Sequence, residues 1–335
     1  MAFSEQSKTA VTRRTALSLG AMAMGLVGLG STGQATNYPT KPIKIIVPYT
    51  PGGTTDIVTR MVGEPLSKVL GQPVVVENRP GANSIVGAGA AASSPPDGYT
   101  LVMVLPAHAA NATLQAGKIP FDPVASFSPI SLVVTAPLVL AGAKKVPATT
   151  FREYLEYARA RPGAVNYGSS GIGATAHLAM ELLQLRTGVK MVHVPYRGTQ
   201  PALQDLISGN ISLMFDSYST LKPQIEAGTI RPLGIAMAKR APFAPDLPTL
   251  AEQGLDDFAV STWCMLLAPA GTSQAIVDRL STEVRKIVHE PAMTAKFQDL
   301  GFIIEGRSPA ETGEFLRSEV ERWRAVIRQA NVVVE

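Results

Sequence analysis

The chain has 335 residues, of which 46% are apolar and 17% charged, and its formal net charge is +4. This composition excludes an intrinsically disordered protein, and the small basic excess gives no reason to expect a nucleic-acid partner. The length exceeds the size at which a single hydrophobic core usually divides, so we expect two domains. The lone cysteine, Cys264, excludes an internal disulfide.

Residues 1–35 have the pattern of an export signal. Arg13 and Arg14 lie in a basic start, an uncharged apolar stretch follows from Ala16 to Gly30, and a small-x-small cleavage site ends at Ala35. The apolar stretch, roughly 15 residues, is shorter than the ~20 of a membrane span. The arginine pair favours the twin-arginine route over the Sec route. We predict a periplasmic protein whose signal is cleaved near Ala35, with an uncleaved, membrane-anchored form as the alternative.

The chain after the signal alternates short apolar runs with helical patterns. The predicted strands are Ile43–Pro48, Val74–Glu77 and Thr100–Leu105, and the predicted helices between them are Asp56–Leu70 and Ser84–Ala92. Short continuous apolar runs that alternate with helices are typical of buried parallel strands.

The connection from the first strand to the first helix is rich in glycine. It reads Pro51-Gly52-Gly53 and places Thr54, Thr55 and Asp56 at the helix start. Free N–H groups at a helix N-terminus attract anions, and a Gly-Gly turn lets a ligand approach the backbone. This pattern predicts a site for a small carboxylate or another anion. The alternative is an ordinary turn capped by threonine or aspartate.

A long apolar stretch, Ile130–Ala141, could cross between two domains. A second α/β series follows. Its predicted elements are helix Phe151–Ala160, strand Asn166–Ser169, helix Ala174–Thr187, strand Lys190–Val194, helix Pro201–Ser208, strand Ile211–Asp216, strand Arg231–Met237 and helices at 275–290 and 309–330. The strand Arg231–Met237 could carry the chain back to the first domain. We predict an α/β fold of two lobes around a ligand cleft. Residues 36–136 and 238–335 form the first predicted lobe, and residues 137–237 form the second.

A second glycine-rich turn, Ser169–Ala174, again joins a strand to a helix. Ser169 and Ser170 supply hydroxyls, and two such turns facing each other across a cleft could bury one anion. One alternative is a capped turn with His177 as an ordinary helix residue. Another is a dinucleotide fingerprint, which Gly171–Ala176 matches as G-x-G-x-x-A. The acidic residue expected about 20 positions later is missing, although Arg197 could face the 2′-phosphate of NADP.

Catalytic motifs are not apparent. The sequence contains no G-x-S-x-G elbow, H-E-x-x-H motif, cysteine pair or acidic calcium loop. Asp56, His177 and Ser170 could be drawn as a triad, but no spacing requires it. Arg197 and Asp216 follow predicted strands, where ligands bind in open α/β sheets. Arg197 could pair with a carboxylate, and Asp216 could cap a helix.

Several segments together resemble one family. They are Tyr38-Pro39 with Lys41-Pro42-Ile43, Pro48–Asp56, Val74–Ala82, Pro96–Leu101, Tyr167–His177, Val194–Gly198, Arg231-Pro232-Leu233, Pro248-Thr249 with Glu252 and Gly254, and Ala268–Thr272. In these motifs, over about residues 38–330, the chain resembles the Bug family of periplasmic solute-binding proteins. These are the receptors of tripartite tricarboxylate transporters.

The resemblance implies a type II periplasmic-binding-protein fold that closes on its ligand without catalysis or a cofactor. It implies that a ligand carboxylate is held by both turns, partly through ordered water. The implied ligand-binding residues are Tyr49, Gly53, Thr54, Thr55, Asp56, Ser169, Ser170, Ala174, His177, Tyr196, Thr199 and Asp216. Two departures from the family pattern are Thr50, in place of a small apolar residue, and Asn83-Ser84, in place of a more glycine-rich continuation.

Three functions stay open at this point. The first is a monomeric receptor that passes a small organic acid to the membrane permease subunits of a tripartite tricarboxylate transporter. The second is an exported NAD(P)-binding or hydrolytic enzyme. The third is a ligand sensor for a membrane signalling partner, which would use the same binding physics as the receptor. We expect the first, with a bound acid shifting the protein toward a closed form.

Overall fold

The computed structural model describes residues 37–334, so the predicted export signal lies outside the described residues. All elements belong to a compact unit that begins at Pro39. The strands are β1 (Ile43–Val47), β2 (Val74–Asn78), β3 (Thr100–Val104), β4 (Phe127–Ala143), β5 (Asn166–Ser169), β6 (Val192–Pro195), β7 (Leu213–Ser217), β8 (Ile230–Ile235), β9 (Ser261–Pro269) and β10 (Ile303–Ile304). The helices are α1 (Thr54–Leu70), α2 (Ile85–Ala92), α3 (Ala107–Leu114), α4 (Phe151–Arg159), α5 (Thr175–Thr187), α6 (Thr199–Ser208), α7 (Tyr218–Glu226), α8 (Gln274–His289), α9 (Pro291–Asp299) and α10 (Pro309–Gln329).

The strands form a mixed sheet in the order β2-β1-β3-β9-β4-β7-β5-β6, with β8 and β10 also paired to β4. The pairs of β1 with β2 and β3, and of β5 with β6 and β7, are parallel. The strands β4 and β9 run antiparallel to their neighbours. Each parallel strand is followed by a helix, and the connection from the carboxyl end of the strand to the helix has at most six residues. This arrangement puts helix N-termini at one edge of the sheet.

The long strand β4 changes partners along its length. Its residues up to Pro137 pair with β9, and its residues from Leu138 onward pair with β7 and β8. We call β1, β2, β3, β9, β10 and the first part of β4 the first half-sheet, and the remaining strands with the second part of β4 the second half-sheet. The apolar stretch that the sequence analysis singled out is this strand. The lobe boundaries themselves stay a prediction.

The chain returns to the first half-sheet between β8 and β9. Here Ala236 N–H donates to Leu138 O (2.8 Å), Val260 N–H donates to Ala236 O (3.1 Å), and Leu138 N–H donates to Val260 O (3.0 Å). The sequence analysis suggested that Arg231–Met237 could carry the chain back. The strand β8 instead stays in the second half-sheet, and the following residues, 236–260, make the return.

The helix α10 packs against both half-sheets through α3, β4 and α5. Ser308 and Glu311 form a capping box at its start. The buried Glu319 carboxylate accepts hydrogen bonds from the indoles of Trp263 (2.8 Å) and Trp323 (3.0 Å). A buried carboxylate is tolerated when donors satisfy it, so this contact fixes α10 on β9.

Most predicted elements are present within a few residues of the predicted bounds, but α3, α7, α9, β9 and β10 were not predicted. The expectation that β2 is buried was wrong, because it is an edge strand and Val75 is 51% exposed. Among the residues the structure describes, no helix is both long and apolar enough to cross a membrane.

Candidate functional site

The first turn, residues 48–53, connects β1 to α1. Gly52 has a φ of +78°, a left-handed conformation that glycine adopts without steric cost. Gly53 is the N-cap residue of α1, and no side chain caps the helix there. The N–H groups of Thr54, Thr55 and Asp56 have no partner within the helix. The first turn therefore presents a helix end with the chemistry of an anion site.

The Asp56 side chain supports this turn from behind. Its carboxylate accepts hydrogen bonds from Gly52 N–H (3.0 Å), Asn78 Nδ2 (3.0 Å) and Arg60 Nη2 (2.9 Å). Burial opposes ionisation of this carboxyl, but the hydrogen bonds from Arg60, Gly52 and Asn78 prevail and hold its pKa below the usual range. The predicted site residue Asp56 thus uses its side chain to hold the turn.

The Thr55 hydroxyl is buried at the same helix end and has no hydrogen-bond partner in the described part of the chain. One turn further along α1, the buried Thr59 hydroxyl donates to Thr55 O (2.6 Å). A buried hydroxyl without a partner costs free energy, so its retention calls for an explanation. A ligand oxygen at the helix N-terminus would supply the missing partner.

Tyr49 lies in the first turn, two residues beyond β1. Its hydroxyl accepts a hydrogen bond from Leu105 N–H (3.3 Å), and burial raises the pKa of the phenol above its ordinary value. Tyr49 O also accepts from Asn78 Nδ2 (3.2 Å), which joins this residue to the support of Asp56.

The second turn, residues 170–174, connects β5 to α5. Gly171 and Gly173 have φ values of +141° and +77°, and Ala174 is the N-cap residue of α5 without a side-chain cap. The Ser170 hydroxyl makes no hydrogen bond to the described residues. Its carbonyl accepts from Gly198 N–H (3.2 Å), which ties the second turn to the start of α6. The second turn presents a helix end like that of the first.

Ser169 and His177 are predicted site residues whose side chains point into the support of the second turn. Ser169 Oγ accepts from Gly171 N–H (3.2 Å) and lies 2.7 Å from His193 Nε2. His177 Nδ1 accepts from Gly173 N–H (3.0 Å).

The other three predicted residues are Tyr196 directly after β6, Thr199 at the start of α6 and Asp216 near the end of β7. The Tyr196 hydroxyl donates to Asp205 Oδ2 (2.5 Å), and burial together with this carboxylate raises the pKa of Tyr196 to about 12. Asp216 Oδ2 accepts from Thr199 Oγ1 (2.9 Å), and Oδ1 accepts from Ser217 N–H (2.7 Å). Burial raises the pKa of Asp216 despite these bonds. Asp216 thus joins the starts of α6 and α7.

The second turn packs directly against elements of the first half-sheet. A Cβ at Gly173 would lie 2.5 Å from Leu114 Cδ1 and 3.3 Å from Asn83 Nδ2. Ala82, Asn83 and Ser84 all have positive φ values, of 45°, 50° and 80°. Backbone held in this region by residues other than glycine is strained and is typical of functional sites. In the sequence, this segment was marked only by Asn83-Ser84, which depart from the more glycine-rich family pattern.

Sequence reasoning missed Asn78, Asn83, Leu114 and His193 as parts of the site. Asn78 lies inside a motif that was quoted for the resemblance, and His193 directly precedes another, yet their roles depend on pairing between distant segments. The triad alternative is not assembled, because Asp56 is bound to Arg60 and Asn78 while His177 Nδ1 is held by Gly173. Within residues 37–334 no cluster of metal-ligating side chains occurs.

Comparisons with known proteins identify the family of this chain. A family model described as "Tripartite tricarboxylate transporter family receptor" matches residues 58–332. Protein BugT of Bordetella pertussis is 34% identical over 307 residues, which cover 90% of this chain and 93% of BugT.

Two solved structures from Rhodopseudomonas palustris share the fold. Rpa4515 with adipate is 36% identical, with a TM-score of 0.83, and the match covers 88% of this chain and 99% of that one. MatC (Rpa3494) with bound malate is 31% identical, with a TM-score of 0.78, and the match covers 87% of this chain and 100% of that one. These relatives are solute-binding receptors and not enzymes, and their shared fold is the two-lobed fold of periplasmic binding proteins.

Proposed function

This chain belongs to the tripartite tricarboxylate transporter receptor family, and we propose that it captures a small organic carboxylate between its two glycine-rich turns. It is a receptor and not an enzyme. The observation that carries the proposal is the Thr55 hydroxyl, which is 1% exposed and has no partner in the described residues. It lies at a helix end without a side-chain cap, where backbone dipoles favour an anion.

The second turn completes the proposed site. Its free Ser170 hydroxyl and the N–H groups of Thr175 and Ala176, in the first turn of α5, are further donors for a carboxylate. A ligand held by both turns would stabilise a closed form of the two predicted lobes, 36–136 with 238–335 and 137–237. The change of partners along β4 at Pro137 supports this division.

The ligand class follows from charge and from the relatives. The donors at both turns are uncharged N–H and O–H groups, which suit reversible binding of a carboxylate and leave room for bridging water. The relatives Rpa4515 and MatC hold adipate and malate. We infer that aliphatic dicarboxylates are the first candidates for this chain.

The proposed cellular role is delivery of the captured acid to the membrane permease subunits of a tripartite tricarboxylate transporter. We propose that the protein acts in the periplasm as a monomer after its signal is removed. The family of receptors supports this role.

The test is a binding titration of the mature protein with succinate, adipate and malate, preceded by a thermal-shift screen. An acid at about 100 times its Kd should stabilise the protein by roughly 2.7 kcal/mol. The decisive variant is Thr55→Val, which keeps side-chain volume and removes the unpartnered hydroxyl. We expect its affinity to fall about 10- to 100-fold, since a hydrogen bond to a charged group contributes about 1.5–3 kcal/mol.

Thr59→Val is the matched control, because it removes a buried hydroxyl on the same helix that already has a partner. It should lose about 1 kcal/mol of stability and keep wild-type affinity. Binding of no organic acid by the wild type, or unchanged affinity in Thr55→Val, would contradict the proposed site.

A further inference from the structure

A cluster of aromatic and ionisable side chains lies beneath the second turn, outside the proposed ligand contacts. The rings of His177 and His193 stack with centroids 3.9 Å apart and planes 9° apart, and Tyr167 stacks on His193 at 4.9 Å. A pocket of about 230 Å³ beside them is lined by Ile172, His177, Glu181, His193 and residues 330–333. None of these rings is among the ligand contacts proposed above.

His177 holds one N–H of the second turn directly. Its Nδ1 accepts from Gly173 N–H at 3.0 Å, so Nδ1 carries no proton and the imidazole is neutral, with its proton on Nε2. Its Nε2 lies 3.8 Å from Glu181 Oε1. A proton on Nδ1 would place two N–H donors against each other and break this contact.

His193 holds another N–H of the same turn through Ser169. Ser169 Oγ lies 2.7 Å from His193 Nε2, 3.0 Å from Gly171 O and 3.2 Å from Gly171 N. One assignment satisfies all three contacts: the hydroxyl donates to Gly171 O and accepts from both Gly171 N–H and His193 Nε2–H. The two imidazoles therefore orient the two glycines of the second turn.

The surroundings keep both rings neutral. Burial lowers the pKa of His177 to about 3, with the neighbouring His193 acting in the same direction, and burial lowers the pKa of His193 to about 4. The ionisable groups that face the pair are Tyr167 on β5 and Glu181 on α5. Glu181 already accepts from the Tyr167 hydroxyl and from Gln184 Nε2. Residues 330–333, which line the other side of the pocket, have no ionisable side chain.

We propose that His177 and His193 are positioning residues that set the anion-binding conformation of the second turn, His177 as a neutral imidazole through its Nδ1 acceptor and His193 through Ser169 Oγ. This inference rests on the proposed function for its consequence in binding. With Gly173 N–H turned inward, the free donors beside it are the Ser170 hydroxyl and the first N–H groups of α5. Loss of the inward contact would let the turn rotate and misalign those donors.

Two substitutions of His177 separate positioning from packing. His177→Asn places Oδ1 at the same number of bonds from Cα as Nδ1, so it keeps a non-titrating acceptor while losing the ring stack. His177→Phe keeps the stack and loses the acceptor. A purely structural role predicts that the phenylalanine variant is the milder one. The positioning role predicts that His177→Asn is the milder variant, both in the conformation of the second turn and in ligand binding.

The first readout needs no ligand. Heteronuclear NMR should show His177 as the Nε2–H tautomer between pH 5 and 8. The Gly173 amide should be protected from hydrogen exchange in the wild type and in His177→Asn, and at least 10-fold less protected in His177→Phe. An Nδ1–H tautomer, titration of His177 near pH 6.5, or equal protection in both variants would overturn the proposal.

The second readout is affinity for adipate and malate. We expect His177→Phe to bind at least 10-fold more weakly than the wild type and His177→Asn to stay within about threefold. Failure of both acids to bind the wild type would count against the proposed function, while the amide measurement would still decide the positioning role. Equal weakening in both variants, with binding intact in the wild type, would overturn the positioning role alone.

Discussion

The two glycine-rich turns present similar helix ends to the proposed ligand, but they are supported in opposite ways. The first turn is held by an ionised carboxylate, Asp56, which is bound by Arg60, Asn78 and Gly52 N–H. The second turn is held by two neutral stacked imidazoles, His177 and His193.

The difference follows from the partners of the supporting groups, because Asp56 and His177 are themselves similarly buried, at 4% and 5% exposed. The Arg60 side chain is 53% exposed, so the charge that pairs with Asp56 stays hydrated. The support of the second turn lies among packed rings, where His177 is 5% exposed and a charge would be costly. A helix N-terminus without a cap, the anion-binding element in both turns, can therefore be supported in two ways. One support is a charged carboxylate whose partner is hydrated, and the other is a set of neutral acceptors among packed rings.

The largest expected effect comes from removing the charge beneath the first turn. Asp56→Asn should lower the free energy of unfolding by about 3 kcal/mol, because Arg60 loses its partner and the amide cannot accept from all three donors. Urea unfolding measures this loss. Glu64→Gln on the same helix is the control, since its ion pair with Lys68 is exposed and screened by solvent, so we expect little change in stability. Equal effects in both variants would contradict a structural charge at Asp56.

A pair of glycine substitutions compares how tightly the two turns are packed. Gly52 and Gly173 have nearly equal φ values, of +78° and +77°, but a Cβ at Gly52 meets no atom within 4 Å, whereas one at Gly173 meets Leu114. Gly52→Ala should lower the free energy of unfolding by about 1 kcal/mol, because alanine is strained in the left-handed conformation. Gly173→Ala should lose about 2 kcal/mol, since Leu114 must also move. Chemical denaturation of both variants gives the comparison, and a larger loss at Gly52 would show that the second turn is the looser one.

The sequence predicted the α/β series and both turns because their signals are local. An apolar run followed by Pro-Gly-Gly or Gly-x-Gly and then a helical pattern specifies a strand, a turn and a helix N-terminus. The helices α3 and α7 were missed because at most two residues separate each of them from the preceding strand. The edge position of β2 was missed since pairing order depends on the whole sheet.

The assignment of side chains within the site was less accessible to sequence reasoning. Thr55 was named for its place at a helix end, and its buried, unpartnered hydroxyl agrees with a ligand-binding role that stays a prediction. Ser169 was named from its turn, and His177 and Tyr196 were named by resemblance. Their polar atoms are bound to His193, Gly173 and Asp205, respectively. Which face of a turn a side chain supports depends on contacts between segments far apart in sequence, and no local pattern encodes them.

The smallest expected effect, about 1 kcal/mol, distinguishes the two supports by pH. Burial depresses the pKa of His177 to about 3 in the folded protein, whereas its value in the unfolded chain is about 6.5. As the pH falls below 6.5 the unfolded chain therefore binds a proton that the folded protein does not, and the free energy of unfolding decreases until the pH reaches about 3. Asp56 has a lowered pKa, so its contribution stays constant above its unfolded value of about 3.9 and is lost only at lower pH. Between pH 7 and 5.5 the free energy of unfolding of the wild type should therefore fall by about 1 kcal/mol more than that of His177→Asn. That of Asp56→Asn should fall by as much as that of the wild type. Urea unfolding at the two pH values measures both differences. Because His193 also has a depressed pKa, some pH dependence remains in His177→Asn. An undiminished pH dependence in His177→Asn, together with a smaller one in Asp56→Asn, would reverse the assignment of charged and neutral supports.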